Sequence, residues 1–292
     1  MNFDFTLQKY SELCEAISES DYRILTMEEY VRLSVKPEKY IIMRHDIDSE
    51  PYYALKMATI ENEFGLRSSY YFRFIEGIFL PDLINLIASM GHEIGYHYEV
   101  LDKAKGNEEL AIKIFKNELT EFNKIYDVKT IAQHGSPLLG SLNATSVSGI
   151  FNILKALVQK REIFTYWKNI DMWKKYDFNE FNIIGEAYLS VDYEKTIYLS
   201  DTGRSWDSSK YKMKDLIDSS KKSNFSERIN NTNDLIKVIK NQNIDRMCIL
   251  VHPNQWKDSF LEWFNWLIFV QIRNNGKLVL KFLLNNKKIT QE

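Results

Sequence analysis

Cysteine is nearly absent from this chain. Cys14 and Cys248 are its only two in 292 residues, far apart and outside any C-x-x-C spacing. That leaves no disulfide framework and no thiolate zinc site, and a reducing cytoplasm fits best. Net charge is also scarce, at -2. No overall basic field exists to draw the protein to nucleic acid or to an anionic membrane surface. Long apolar runs are missing as well. The longest, Phe260 to Ile272, is short for a bilayer span and carries Glu262, Asn265 and Gln271. It reads as a buried amphipathic helix, so no membrane span is expected. The start, MNFDFTLQKYSELCEAISESD, has no basic segment leading into an apolar stretch, so no signal peptide is visible. Histidine, finally, occurs only five times.

What is present is the balance of a globular protein with a sizeable core, 45% hydrophobic and 27% charged. A chain of this length fits a single α/β barrel domain, 1–292. Short β-branched or aromatic runs alternate with segments of helical apolar spacing. The predicted strands are Tyr40 to His45, Ser68 to Phe74, His92 to His97, Thr130 to His134, Ile183 to Ser190, Thr196 to Ser200 and Met247 to His252. Helices are predicted over Tyr52 to Phe64, Leu80 to Met90, Glu108 to Tyr126, Met213 to Ser219, Asn233 to Asn241 and Trp256 to Ile272. The expected fold is a distorted (β/α) barrel of about seven parallel strands, its core spanning about residues 40–275.

Residues 138–180 are too long for an ordinary connection and read as an insertion rich in aromatics, among them Tyr166, Trp167, Trp173 and Tyr176. It is either a lid over the substrate or a segment that its aromatics anchor to the barrel. Asp218 to Asp234 reads as a polar surface loop. The basic tail from Asn274 reads as a final strand plus a frayed end, its charges a solvated surface.

Four of the five histidines, His45, His97, His134 and His252, fall at the end of a predicted strand, on the rim where catalytic groups of a parallel barrel converge. In IIMRHDIDSE, strand alternation puts Asp46 and Asp48 on one face and His45 on the other. Two such carboxylates suit a divalent-metal ligand and a proton acceptor. In GHEIGYHYEV, His97 emerges at the rim as a natural ligand for zinc or a similar cation, while His92 lies at the far end and is structural. In TIAQHGSP, His134 either completes a metal triad or bonds the substrate. Asp201, at the end of YLSD, can orient His252 of ILVHP as a general acid.

Taken in order, RHDID, GHEIGYH, QHGSP, SDTGRSW and ILVHP resemble the motif series of the polysaccharide deacetylase superfamily, the NodB-homology enzymes, over residues 40–256. The resemblance implies a NodB-like barrel and a metal-dependent hydrolase, with Asp46 as base and Asp48 as metal ligand. Ile47 separates the two carboxylates where the family has them adjacent, which leaves their roles exchangeable. Leu101 stands where the family has a second metal-binding histidine, and His134 is the candidate replacement. The series is most similar to a divergent branch with H-D-x-D and H-P-x-x-W motifs.

The reading that follows is a cytoplasmic deacetylase using a divalent metal, zinc first, on an acetylated sugar or a nucleotide- or lipid-linked saccharide. Arg204 can bind a phosphate or carboxylate on such a substrate, and Trp206 or Trp256 can stack on a sugar face. Two rivals stand beside it: an allantoinase-like amide hydrolase, and a barrel without catalysis that binds carbohydrate.

Overall fold

The computed structural model describes residues 3–135, 167–206 and 229–289, with side chains to residue 275. The predicted helix Met213 to Ser219, most of the aromatic insertion including Tyr166, and the polar loop up to residue 228 lie outside the described residues.

Seven parallel strands run in chain order around a curled sheet: β2 (Tyr40–Ile47), β3 (Ser69–Phe72), β4 (Glu93–Tyr98), β5 (Thr130–Gln133), β6 (Gly185–Glu186), β7 (Ile197–Ser200) and β8 (Arg246–Val251). The hydrogen-bonded path is β6-β5-β4-β3-β2-β8-β7. Its two ends, β6 and β7, do not pair with each other among the described residues, so the barrel is open there. This is the distorted (β/α) barrel the sequence predicts. All strand pairs are parallel, so every strand ends on the same rim.

The sequence reading missed β1 (Arg23–Leu25), which shares one edge of β2 with β3. Residues 40–42 of β2 pair with β1, and residues 44–47 pair with β3. It also missed α1 (Leu7–Ser18) and α2 (Met27–Arg32), both marked by local signals. Thr6 accepts a hydrogen bond from the Lys9 N–H, and Thr26 with Glu29 forms a capping box. Helices α3 (Pro51–Glu63) and α4 (Pro81–Ser89) start on prolines, whose fixed φ suits a first helical turn. They cover the outer face with α1, α6 (Glu108–Phe122) and α7 (Thr232–Asn241); α5 (Val100–Lys103) is a single turn at the rim.

Inside the barrel, Tyr40, Tyr71, Ala132 and Cys248 meet Leu25, Met27 and Tyr30 of β1 and α2. Gly95 is needed here. A Cβ at that position would lie 2.3 Å from the Tyr71 ring and 3.0 Å from the Thr130 carbonyl oxygen. The motif glycine therefore makes room for a tyrosine packed across the interior, whose hydroxyl lies 2.7 Å from Thr130 Oγ1. Cys14 and Cys248 are both buried and free.

Three expectations need correcting. The tail is not a strand: α8 runs unbroken over Phe260–Ile289. A helix pairs its backbone groups internally, whereas a strand needs a free edge beside it. Nor is Phe260 to Ile272 buried; only part of it packs on the barrel, and Phe260, Leu261, Phe264, Ile268 and Ile272 are exposed. The strand predicted over Ile183 to Ser190 is cut to Gly185–Glu186, because the Glu186 carboxylate accepts the N–H groups of Tyr188 and Leu189 and folds the chain into a turn. Of the insertion, the described Trp173 packs against Phe115 and donates its indole N–H to the Tyr98 hydroxyl at 2.8 Å, anchoring that end to the barrel.

Candidate metal centre and its rim

The period of two in β2 and β4 brings Arg44, Asp46 and Asp48 to the interior beside Glu93, Gly95, His97 and Glu99. At the rim, Asp48, His97 and His134 offer ligand atoms that all lie within 4.8 Å of one another. His97 Nε2 and His134 Nε2 lie 3.4 Å and 3.6 Å from Asp48 Oδ1. Ligands held about 2.1 Å from a tetrahedral zinc ion are spaced roughly 3.4 Å apart, so two of the three separations already match. The Asp48 Oδ1 atom is buried without a hydrogen-bond partner, the condition of a carboxylate oxygen shaped to meet a cation.

The orientation of both imidazoles is set from behind. His97 Nδ1 lies 2.9 Å from the Ala132 carbonyl oxygen, so the N–H sits on Nδ1 and the Nε2 lone pair faces Asp48. His134 Nδ1 lies 3.2 Å from Glu99 Oε2. Arg73 holds Glu99 in turn, its Nη2 2.6 Å from Glu99 Oε2, and also donates to the Asp48 carbonyl oxygen at 3.1 Å. Burial resists ionisation of Glu99, but His134 and Arg73 outweigh it and hold its carboxyl down at about 2. For Asp48, burial is likewise outweighed by the imidazoles of His97, His134 and His252 around it, leaving its carboxyl well below the usual range.

Asp46 lies beside this triad, its Oδ2 3.6 Å from His97 Nε2. Arg44 grips it from two positions earlier in the same strand, Nε to Oδ1 at 2.8 Å and Nη2 to Oδ2 at 2.7 Å. The guanidinium is wedged between the Tyr188 ring at 4.4 Å and the Tyr71 ring at 5.4 Å. Burial pushes the Asp46 carboxyl up, yet the Arg44 charge outweighs it and keeps the group below its ordinary value.

The third part of the rim is His252. Its Nδ1 lies 2.6 Å from Asp201 Oδ1, and its backbone N–H donates to Asp201 Oδ2 at 2.9 Å. Burial lowers the imidazole pKa, but the Asp201 charge and bond, with Asp48 and Asp46, raise it to about 9.

The other residues singled out in the sequence lie elsewhere. His45 points to the outer face, where Nε2 meets the Tyr10 hydroxyl at 2.9 Å and Glu61 Oε1 at 3.1 Å, so it does not share the rim; strand alternation turns it away. His92 is buried in that same network, 3.5 Å from Glu61 Oε2, consistent with a structural part. Trp206 and Trp256 are 2% and 0% exposed and pack with Phe5. Trp256 donates its indole N–H to Asp201 at 2.8 Å, and Trp206 donates to Thr232 at 3.0 Å. Arg204 lies over the rings of Phe5 and Trp263 and donates to the Asp4 carbonyl oxygen at 3.2 Å.

Sequence reasoning passed over Arg44, Arg73 and Glu99. Spacing held a signal for two of them, since Arg44 shares the parity of Asp46 and Asp48, and Glu99 that of His97. No family model, no curated protein and no solved structure matches the chain.

Proposed function

We propose that this protein is a metal-dependent hydrolase that removes an acetyl group from a saccharide, a divergent relative of the polysaccharide deacetylases. The observation that carries the reading is the joint presence, on one barrel rim, of a three-donor metal group, a carboxylate held ionised by an arginine, and a carboxylate-oriented histidine.

Asp48, His97 and His134 would hold the ion, zinc suiting two imidazoles and one carboxylate. When bound, the metal would supply Lewis acidity toward an acyl oxygen and an acidified water. Asp46, ionised at neutral pH, accepts a proton from the attacking water. Arg44 keeps that carboxylate charged and fixes its rotamer, so the acceptor lone pairs have one orientation. His252 enters the reaction protonated and donates from Nε2 to the departing sugar amine or alkoxide, while Asp201 holds Nδ1 and stabilises the cation. A base and an acid held apart in charge state by their own partners suit acyl transfer to water.

The test is acetate release from a panel of acetylated mono- and oligosaccharides by the zinc-reconstituted protein, with Asp46→Asn and His252→Ala as controls. Release that falls by about 10²- to 10⁴-fold in each variant supports the reading. A zinc-loaded protein that releases no acetate from any of them, or that releases it equally well in both variants, defeats it.

A further inference from the structure

No helix among the described residues is long and apolar enough to cross a membrane, so α8 is understood by what it touches. Four of its side chains dock on the barrel. Trp263 donates to the Asp4 carbonyl oxygen at 2.6 Å, Trp266 to Gln255 Oε1 at 3.2 Å and Asn274 to the Gly203 carbonyl oxygen at 3.0 Å, while Val270 is buried. Gly203 follows closely on Asp201, and Gln255 on His252, so α8 lies over the two turns that carry the acid and its partner. Positions 263, 266, 270 and 274 form one helical stripe, and 273 falls within it. The Arg273 guanidinium is turned inward with that stripe, its Cζ 5.8 Å from the Phe269 ring centroid.

Arg273 finds no partner there. Its Nε is shut away from solvent without a hydrogen bond, and no carboxylate among the described residues comes within ion-pair distance. The other charged groups of the rim are matched, Arg44 with Asp46, Arg73 with Glu99 and His252 with Asp201. Burial lowers the Arg273 pKa, and the carboxylates that oppose this are Asp48 and Asp201, on either side of the metal donors and the acid. A guanidinium taken from water with N–H groups to spare is a natural seat for an oxyanion.

We infer that Arg273 forms an anion subsite beside the metal donors, which takes a carboxylate or phosphate borne by the saccharide. The inference rests on the saccharide reading and adds the charge of the substrate. A planar guanidinium meets two oxygens of such a group at once. With His252 protonated against Asp201 and a cation on Asp48, the described residues leave Arg273 no anion of its own, and the ligand supplies it. Arg204, the arginine marked in the sequence, is committed to the Asp4 carbonyl and two aromatic rings.

The experiment is calorimetric titration of the zinc-loaded full chain with glucuronate, glucose 6-phosphate, glucose and sodium sulfate, for wild type and Arg273→Gln, with zinc content measured in both. Wild type should bind the anions more tightly than glucose. Arg273→Gln should weaken the anions by about 10- to 100-fold at unchanged zinc content and leave glucose as it was. The tighter of glucuronate and glucose 6-phosphate names the group. Anions that wild type binds no better than glucose overturn the proposal, whether or not the variant folds. A preference that survives in Arg273→Gln overturns it too, as does a variant that loses glucose and the anions alike. Sulfate bound through Arg273 by a protein that binds none of the sugars keeps the subsite and removes the saccharide. Binding is read without turnover, so a missing activity cannot pass for a missing subsite.

Discussion

Asp201 holds His252 at two points, accepting the backbone N–H with Oδ2 at 2.9 Å while Oδ1 lies 2.6 Å from the ring Nδ1. Oδ2 also accepts the Trp256 indole N–H at 2.8 Å. One buried carboxylate thus sets the position, tautomer and charge of the imidazole.

Asp201→Asn should therefore lower the His252 pKa from about 9 toward the ordinary imidazole value. Histidine titration by NMR of the chelator-treated protein measures it; an unchanged value would show that Asp201 does not set the charge. The linkage sign follows from a folded pKa raised above the unfolded one. The stabilisation is fully present below about pH 6.5 and is lost as pH rises through about 9, so the wild-type advantage over Asp201→Asn should shrink across that window.

Asp48→Ala and His134→Ala should each abolish tight zinc binding. Glu99→Gln, which removes no ligand atom but alters the group against His134 Nδ1, should weaken it by about 10- to 100-fold. Competition with a chromophoric chelator gives the affinities. In wild type, zinc at about 100 times its Kd should add about 2.7 kcal/mol to stability. Zinc that binds all three variants with wild-type affinity would place the metal elsewhere.

Arg44→Ala strands a buried carboxylate. We expect a loss of about 3–5 kcal/mol in denaturant unfolding. Replacing both partners, Arg44→Met with Asp46→Leu, should recover most of that, since no unpaired charge remains. A double variant no more stable than Arg44→Ala would mean that the pair stabilises the barrel in its own right.

Behind the sheet, Glu61 accepts hydrogen bonds from Tyr10, Ser68 and Tyr70 and lies 3.1 Å from His45. Burial raises its carboxyl, but His45 and the other partners outweigh that and bring it down to about 2. A depressed folded pKa stabilises above the unfolded value, about 4.3, and the contribution is lost as pH falls toward 2. Glu61→Gln should flatten the stability profile between pH 5 and 2, and an acid transition identical to wild type would contradict this.

Most of the barrel was legible because its strands end in chemistry. Polar residues that follow apolar runs, as in YIIMRHDID and MCILVHP, mark both a strand and its rim. The candidate triad was legible for the same reason. What escaped reading depends on distant contacts. Strand β1 has three residues and borrows half an edge of β2, and no local pattern announces such a pairing. Leu278 to Leu284 is apolar but for Lys281, a short run whose pattern alone does not tell strand from helix. Trp206 and Trp256 looked like sugar platforms by their nearness to rim motifs, but burial is settled by Phe5, some two hundred residues away. Arg44 and Glu99 were within reach of a parity argument.

The tyrosine that Gly95 admits has a consequence for anything that visits the rim. With Tyr71 spanning the interior, and Arg44 stacked above it against Tyr188, the barrel beneath the metal donors is solid. Nothing can thread through such a floor. The substrate proposed above would therefore meet the metal donors from the mouth of the barrel.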